Sequence, residues 1–592
     1  MTTFPMIRVK RSNEHVMAYV FAILLLYHLP LWIKDPMGIL RLLLLIAVGI
    51  MIDVIFSLIR YKRVWCCVSG AITAAMISLL TNGAPQWGQL LGVAIGLIIG
   101  KHIWGGTGKN LLNPAMLGLL CVMLLFNVSF PFFSPTLWLL PAILCGLFLL
   151  KIRPFAGIGY IVGMIIAMII FRSFSPMSII SYGVFFWSCL VITDPVTVTN
   201  HKTMGVLCGL LAGFATFIFR TTPELIPLSI LMVNLCTAVI NEKVGRKPVL
   251  AKTGLRIAKA VASKSYHKKL VDLTQQEEKK DTEQNYIQLS TDEILSRIQR
   301  NEVFGMGGAA FLTHRKLMAV MQAKQQEKQL IINGVECDPG LIHDAWLLRN
   351  YPKEIQKGID ILCKGIGFNT VHLAVKDLED IKYSEHVKLI QVADSYPIGF
   401  EKLLIKEVLG KELTKGQIPA ELGILVINVQ TVYAIWQAVC LNKRIDTRFL
   451  TVADLKSKTA QVVLVKLGSS MKEVMEAVYP GVVNVFAGGG IMQAYLAEED
   501  ARIDKNTNLI ATGNYPHFKE SPQCSRCGSC SEHCPSGLKV NLIADMVDQG
   551  KQKDTWKYHA DECIGCGSCS YSCPGGRNLA ARVKLAKEAV RS

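Results

Sequence analysis

The sequence predicts a helical membrane bundle joined to a cytoplasmic α/β domain that ends in a small cysteine-rich module. Three observations predict it. Up to about residue 240 the 592-residue chain is a succession of apolar runs divided by short loops. Beyond Lys243 its composition is that of an ordinary soluble protein. Eight of its 18 cysteines fall in two tight clusters near the C-terminus, which is metal-site spacing rather than a disulfide framework.

The net charge of +18 does not point to nucleic acid. Much of the excess lies in "NEKVGRKPVLAKTGLRIAKAVASKSYHKK", directly after the last apolar run. Basic residues there hold a loop at anionic lipid and set topology, so the expected partner is membrane lipid. The N-terminus leads straight into an apolar run without a small-residue cleavage site, and no cleavable signal peptide is expected.

Roughly 20 apolar residues cross a bilayer. Candidate spans lie near residues 16–33, 38–60, 66–81, 87–104, 112–129, 135–150, 155–172, 176–192, 204–220 and 225–241. Charges alternate across them. Arg8, Lys10, Arg11, Arg60, Lys62, Arg63, Lys101, Lys109, Lys151, Arg153, Lys202 and the run from Lys243 fall on one side, and Lys34, Arg172 and Arg220 on the other. The positive-inside rule places both termini and the soluble half in the cytoplasm, where thiols stay reduced.

Two loops stand out. "GKHIWGGTGKNLLNPAMLG" follows the fourth run and "LVITDPVTVTNHKTMG" the eighth. Asn113-Pro114 and Asp194-Pro195 occupy corresponding places in two five-helix halves. Such paired interruptions suit an internal repeat with a midplane site, or simply two Pro-initiated helices. Asp53 lies inside the second run. It either faces a polar interior as an ion-path residue or pairs with Arg60 or Lys62.

"GGTGKNLLNPAMLG", "TDPVT" and the ten-helix plan resemble the RnfD/NqrB family, membrane subunits of ion-pumping NADH oxidoreductases, over most of residues 15–245. Members of that family carry a flavin esterified to Thr in an S/T-G-A-T loop. Here the central loop is only "KIRPFAG", and "SGAITA" from Ser69 lies within an apolar run, so the covalent flavin is expected to be absent.

The soluble half follows a linker over 243–286, basic and then polar, in which "LTQQEEKKDTEQNY" suits a solvated segment. "GMGGAAFLTHRKL" offers glycines for close backbone approach beside a helix start, which suits a phosphate or merely a turn. "LIINGVECDPG" delivers polar groups to a strand end. With "YPIGFEKLLIKEVLG" and "IPAELGILVINVQTVYAIW", these stretches resemble RnfC and the NADH-oxidising flavoprotein subunit of complex I. The resemblance implies an FMN- and NADH-binding domain over 287–450. The matching FMN-site positions are Gly305, Gly307, Gly308, Ala309 and Phe311; Asn333, Glu336 and Asp338; Tyr396, Gly399 and Glu401; Asn428 and Thr431. It also implies an SLBB-like β-grasp segment over 451–512. Phe400 departs from the family's smaller residue beside the flavin-site Glu, where a ring narrows a nicotinamide pocket. The family's N-terminal barrel-like module is replaced by the membrane region.

Residues 513–592 carry two C-x-x-C-x-x-C-x-x-x-C-P motifs. In bacterial-ferredoxin-like domains three cysteines of each motif hold one [4Fe-4S] cluster and the fourth crosses to the other. This assigns Cys524, Cys527, Cys530 and Cys573 to one cluster, and Cys563, Cys566, Cys569 and Cys534 to the second. Zinc sites pair two C-x-x-C units and do not need a third Cys with Cys-Pro.

The expected function is that of a multi-pass subunit of an Rnf-type complex in a bacterial inner membrane. It passes electrons between NADH, through non-covalent FMN and two [4Fe-4S] clusters, and ferredoxin or a ferredoxin-like subunit, beside other Rnf-type membrane and iron–sulfur subunits. Na⁺ or H⁺ coupling is part of that expectation. A membrane transporter with a redox-sensing domain, and a tethered NADH diaphorase that moves no ion, remain the alternatives.

Overall fold

The computed structural model describes the chain except residues 1–12, 63, 65–67, 107–109, 129–140, 142, 146–153, 176–178, 180–182, 195–196, 198–201, 244–268, 275–282, 309, 325–326, 379–380, 414–416, 483, 514–519, 521–523 and 525. Most of the expected sixth span, most of the basic run after Lys243, and Ala309 lie outside the described residues.

The membrane region consists of α1 (Asn13–Lys34), α2 (Gly38–Tyr61), α3 (Ser69–Leu80), α4 (Gln86–Leu97), α5 (Pro114–Phe126), α6 (Pro154–Ile170), α7 (Lys202–Ile218) and α8 (Ile226–Lys243). Each overlaps an expected span. Among the described residues 3 segments are long and apolar enough to cross a membrane by themselves: Met17–Lys34, Gly38–Arg60 and Thr203–Thr221. α3, α4, α5 and α6 are shorter, at 12, 12, 13 and 17 residues. α4 runs into a π-helical turn, Ile98–His102, and the short helix Val184–Phe186 into another, Trp187–Val191. The two π turns precede the two Pro-containing loops.

The closest helix pair is α6 with α7. A Cβ at Gly159 would run into the Val206 carbonyl oxygen, one at Gly163 into that of Leu210, one at Gly209 into that of Ala156, and one at Gly213 into that of Tyr160. Two G-x-x-x-G stripes therefore face each other, and backbone approaches backbone where lipid supplies no hydrophobic drive. Gly209→Leu is expected to force the pair apart and cost at least about 1–3 kcal/mol. A thermal melt in detergent reads this, with lipid-facing Leu211→Ala as a neutral control. An unshifted Gly209→Leu melt contradicts the packing account.

Beyond the membrane region comes a two-residue strand, β1 (Val271–Asp272), and then a parallel sheet. Its strands are β2 (Gln329–Gly334), β3 (Thr370–Val375), β4 (Val387–Gln391) and β5 (Ile424–Asn428), in spatial order β4-β3-β2-β5. Helices α9 (Thr291–Arg300) and α10 (Thr313–Met321) precede the sheet. α11 (His343–Asn350) and α12 (Pro352–Ile366) connect β2 to β3, α13 (Glu401–Leu409) lies between β4 and β5, and α14 (Val429–Cys440) follows β5. The near-continuous apolar strands, such as buried Leu330, Ile331 and Ile332, are those of a sheet covered on both faces. The strand order reverses between β2 and β5, where open α/β sheets form their ligand crevice.

A second, mixed sheet follows. β6 (Thr447–Asp454) and β7 (Thr459–Lys466) form an antiparallel hairpin, and α15 (Met471–Val478) packs beneath. β8 (Phe486–Gly488), β9 (Tyr495–Leu496) and β10 (Leu509–Thr512) complete the order β1-β7-β6-β10-β8-β9. The stretch read as linker thus contributes an edge strand, because Val271 and Asp272 pair in parallel with Val463 and Leu464. The C-terminal module closes with α16 (Val540–Asp548) packed on α17 (Leu579–Arg591).

Candidate functional site

Asn333 is the penultimate residue of β2 and Asn428 the last of β5, and the two are register partners. Both stand at the carboxyl ends of parallel strands at the point where the strand order reverses. Asn428 also caps α14, accepting from Gln430 N, while its Nδ2 donates to Asp344 Oδ2 at 2.7 Å. Asn333 Nδ2 donates to the Gly399 carbonyl at 2.8 Å. Gly399 N donates in turn to the Cys337 sulfur at 3.3 Å, and a Cβ at Gly399 would press on that sulfur.

The Gly-rich segment arrives from the other side. Phe304 and Leu312 form a bridge, Gly305 N donates to the Phe311 carbonyl, and Gly308 adopts φ +103, a backbone state that glycine tolerates best. Met306 N donates to Thr431 Oγ1 at 2.9 Å, and a Cβ at Gly307 would lie 3.4 Å from that of Asn428. The loop is therefore pinned to the start of α14. The Phe311 ring is exposed.

The acidic positions are used differently from one another. Asp338 accepts from Gly340 N, Ile491 N and Met492 N, so its carboxylate ties the β2 loop to the second sheet. Glu401 pairs with Lys316 at 2.8 Å, and Lys316 also donates to the Val426 carbonyl. Glu336 accepts from Asp344 N and Ala345 N at the start of α11. Burial, and then the nearby Asp344, push the Glu336 carboxyl up to about 8. Burial pushes Asp344 up to about 7 and His343 down to about 3. Between about pH 4.5 and 8 the folded chain thus holds a proton on Glu336 that the unfolded chain has released, and stability falls as pH rises through that window. Asp344 adds to the slope below about pH 7, so Glu336→Gln is expected to reduce it by at most about 1.4 kcal/mol per pH unit and to leave the Asp344 share. Melting midpoints over that pH range read it, and an unchanged slope in the variant refutes the assignment.

Sequence reading missed several members of this site. Arg448 is 1% exposed; it donates to Asn508 Oδ1, to the Met306 carbonyl at 3.3 Å and to the Lys505 carbonyl at 2.8 Å. It fastens the Gly-rich loop to the second sheet. Lys316, Asp344 and Asn508 were equally invisible, since their partners are distant in sequence. Phe400, expected beside the nicotinamide pocket, packs into the apolar clusters of the α/β domain and against the edge of Tyr396.

Tyr396 makes the decisive contact. Its hydroxyl donates to the Cys566 carbonyl at 2.6 Å, and both residues are buried. A Cβ at Gly567 would run into the Met492 carbonyl oxygen. A cavity of about 590 Å³ is lined by Gly308, Gln493, Asn506 and Ile564 together with Cys534, Cys563, Cys566 and Cys569. The Gly-rich loop and one cysteine loop share a wall.

The structure gathers the eight cysteines as two quartets. The thiols acting on Cys530 are Cys524, Cys527 and Cys573; Cys566, Cys563 and Cys534 act foremost on Cys569. Backbone N–H groups of Arg526, Leu538 and Gly565 donate to Cys524, Cys534 and Cys563. Burial pushes the thiols of Cys524, Cys530, Cys534, Cys563, Cys566, Cys569 and Cys573 up, Cys566 to about 11, and coordinated iron is what would hold the quartets as thiolates. The donor set fits an iron–sulfur cluster. The glycine cradle at the crossover and the buried Asp344 Oδ1 and Thr313 Oγ1, which have no hydrogen-bond partner among the described residues, fit a polar ligand such as FMN.

In the membrane region Asp53 does not pair with Arg60 or Lys62. Lys101 Nζ reaches both Asp53 oxygens at 2.8 Å and Ser69 Oγ at 3.0 Å, and His102 Nε2 lies 2.8 Å from Asp53 Oδ1. All three are at most 4% exposed. Arg60 donates instead to the His102 carbonyl. The two interrupted loops also meet: Asn234 accepts from Asn113 N at 3.0 Å and donates to the Thr197 carbonyl at 3.3 Å.

Comparison with known proteins follows the same division. The NQR2, RnfD, RnfE family model matches residues 1–142, the Nuo51 FMN-binding domain residues 298–437, and the 4Fe-4S dicluster domain residues 523–576. The C-type subunit of the ion-translocating oxidoreductase complex of Pasteurella multocida is 29% identical over 269 residues, covering 43% of this chain and 32% of that protein. The chain joins an RnfD-like part to an RnfC-like part. The C-type subunit of the proton-translocating ferredoxin:NAD(+) oxidoreductase complex of Clostridium ljungdahlii is 28% identical to it over 294 residues, covering 48% of this chain and 63% of that protein. The chain thus spans between 32% and 63% of the length of these relatives. A chain of an NAD⁺-reducing [NiFe]-hydrogenase covers 50% of it at 14% identity and a TM-score of 0.36. The family match over residues 1–142 takes in α1 to α5, the FMN-binding match over 298–437 takes in the crossover site, and the dicluster match over 523–576 takes in both cysteine motifs.

Proposed function

We propose that this chain is the electron-transferring subunit of an Rnf-type complex, moving electrons between NADH and a ferredoxin-like carrier. The observation that carries the reading is the Tyr396–Cys566 hydrogen bond, which puts the crossover site and a cysteine quartet in direct contact. When bound, FMN takes the two electrons of a hydride and releases them singly, and each cluster carries one at a time. The chain's own residues supply position. Gly305, Gly307, Gly308 and Ala309 allow close approach of a phosphate. Asn333, Asn428 and Thr431 hold the loop edges, and Glu336, Tyr396, Gly399 and Glu401 close the crevice, while Asp338 locks the sheets together and Phe311 stands at the rim. Cys563, Cys566, Cys569 and Cys534 hold the inner cluster, next to Tyr396. Cys524, Cys527, Cys530 and Cys573 hold the outer one.

Residues 451–512 serve as an SLBB-like β-grasp segment; the hairpin, helix and mixed sheet from β6 to β10 support that reading. The membrane part makes about ten passes of a bacterial inner membrane with the redox half in the cytoplasm, as the basic loops favour. It couples electron flow to cation movement. Support comes from Asp53, Lys101 and His102, ionisable groups buried where apolar packing would be cheaper, and from the Asn234 bridge between the two broken loops. Partner membrane and iron–sulfur subunits make up the rest of the complex.

The test is anaerobic. The full chain is purified in detergent, its iron and released flavin are quantified, and NADH is added. Bleaching of both flavin and cluster absorbance is expected. Loaded clusters that NADH leaves untouched would sink the NADH reading and leave electron transfer from another donor.

A further inference from the structure

The two cysteine motifs repeat one pattern and so provide an internal comparison. In each, the backbone N–H four residues after the last cysteine donates to that cysteine's sulfur: Leu538 to Cys534 at 3.4 Å, and Arg577 to Cys573. The side chains at this shared position differ. Leu538 packs in the apolar core under α16 and α17. Arg577 is only 2% exposed. Its Nη2 donates to Asp548 and its Nη1 lies 3.8 Å from Asp545 Oδ1, yet Nε and Nη1 have no hydrogen-bond partner among the described residues. Buried guanidinium N–H groups are costly to leave unpaired, and cluster sulfurs are acceptors.

The sulfurs this guanidinium acts on are Cys524 and Cys573, both of the outer quartet. Asp545 opposes it: it acts on Cys524 with the other sign, and its buried Oδ2 lies 3.7 Å from Arg526 Nη2 without a hydrogen-bond partner among the described residues. The inner quartet has a different cation, Lys587, which donates to the Cys563 carbonyl at 2.6 Å and is only half-buried. Solvent therefore screens Lys587 more than Arg577.

We propose that Arg577, opposed by Asp545, sets the reduction potential of the outer cluster apart from that of the inner one. The proposal rests on the two-cluster reading above. Each cluster gains one negative charge when it takes an electron. A fixed, buried positive charge beside it stabilises that reduced form and raises the potential, and a carboxylate lowers it. Arg577 is a positioning and tuning residue, since it does not ligate iron. Its charge draws electrons from the inner quartet toward the outer one, and Asp545 limits the step so that the outer cluster can still give them up.

The experiment is a potentiometric titration of the purified full chain, with dithionite as reductant and electron paramagnetic resonance as readout, alongside iron analysis. In Arg577→Leu one of the two one-electron waves is expected to move down by at least tenfold in its reduction equilibrium, about 59 mV. The other wave stays in place. Arg577→Lys keeps the charge and most of the potential, and Asp545→Asn moves the same wave upward. Both waves unmoved in Arg577→Leu and Asp545→Asn, with iron retained, would overturn the proposal. Should Arg577→Leu lose iron, Asp545→Asn alone decides: an upward shift supports tuning and no shift refutes it. A wild-type chain without about eight iron atoms overturns the two-cluster reading itself, and the tuning proposal with it.

Discussion

Cys563→Ala is expected to leave a chain that binds flavin and reacts with NADH but passes almost no electrons beyond it. Cys563 belongs to the quartet that lines the cavity with Gly308, while Tyr396 grips the same loop at Cys566. Losing one thiolate removes that cluster and breaks the path between the crossover site and the outer quartet. Iron should fall from about eight to about four atoms per chain. NADH-driven bleaching of the remaining cluster, followed by stopped flow, should slow by roughly a hundredfold or more. Cys524→Ala is the contrast. It removes the outer cluster, so iron falls equally while the inner cluster still bleaches at the wild-type rate. Equal rates in the two variants would refute the inner and outer assignment. Cys563 suits this test because its side chain takes no part in the Tyr396 contact.

Asp53→Asn is expected to be the most damaging change in the membrane part. It leaves the Lys101 ammonium 1% exposed without a counter-charge, and His102 loses its 2.8 Å partner. Breaking a buried ion pair from one side costs about 3–5 kcal/mol, so little folded protein should reach the membrane. Replacing both charges, Asp53→Leu with Lys101→Met, should restore most of the fold, because the expensive species is an unpaired buried charge. That double variant separates structure from coupling. In sealed vesicles it should oxidise NADH yet take up neither Na⁺ nor H⁺. If it takes up the ion as fast as the parent, the triad is a structural ion pair and the coupling role is lost. Failure of the single variant to weaken folding would contradict the buried pairing itself.

Much of this was legible in the sequence because it depends on short-range spacing. Apolar run length marked the helices, since bilayer thickness dictates it. Cysteines at i, i+3 and i+6 marked the quartets, since one tight loop must wrap one cluster face. The glycines of Gly305–Gly308 marked a place of close backbone approach. These are properties of neighbouring residues. Helix length was less legible: the Pro-containing loops and π turns end several helices early, and apolar composition does not register where a hydrogen-bond ladder changes its pitch.

Everything that depends on which distant groups meet came from the fold. Asp53 was expected either to face a polar interior or to pair with nearby Arg60 or Lys62, and it holds Lys101, 48 residues away in the π turn that follows α4. Asn234 joins the two broken loops across 121 residues, and Tyr396 reaches Cys566 across 170. The crossover site exists only because β5 pairs beside β2, which no local pattern states. Arg577 and Leu538 sit at one position of a repeated motif and differ in side chain, but only the fold shows that both are buried and what each meets there. Local spacing in the chain set the parts and their chemistry, because covalent connection limits local geometry. Packing chose their partners, because a buried charge or strand edge accepts whichever complementary group is brought to it.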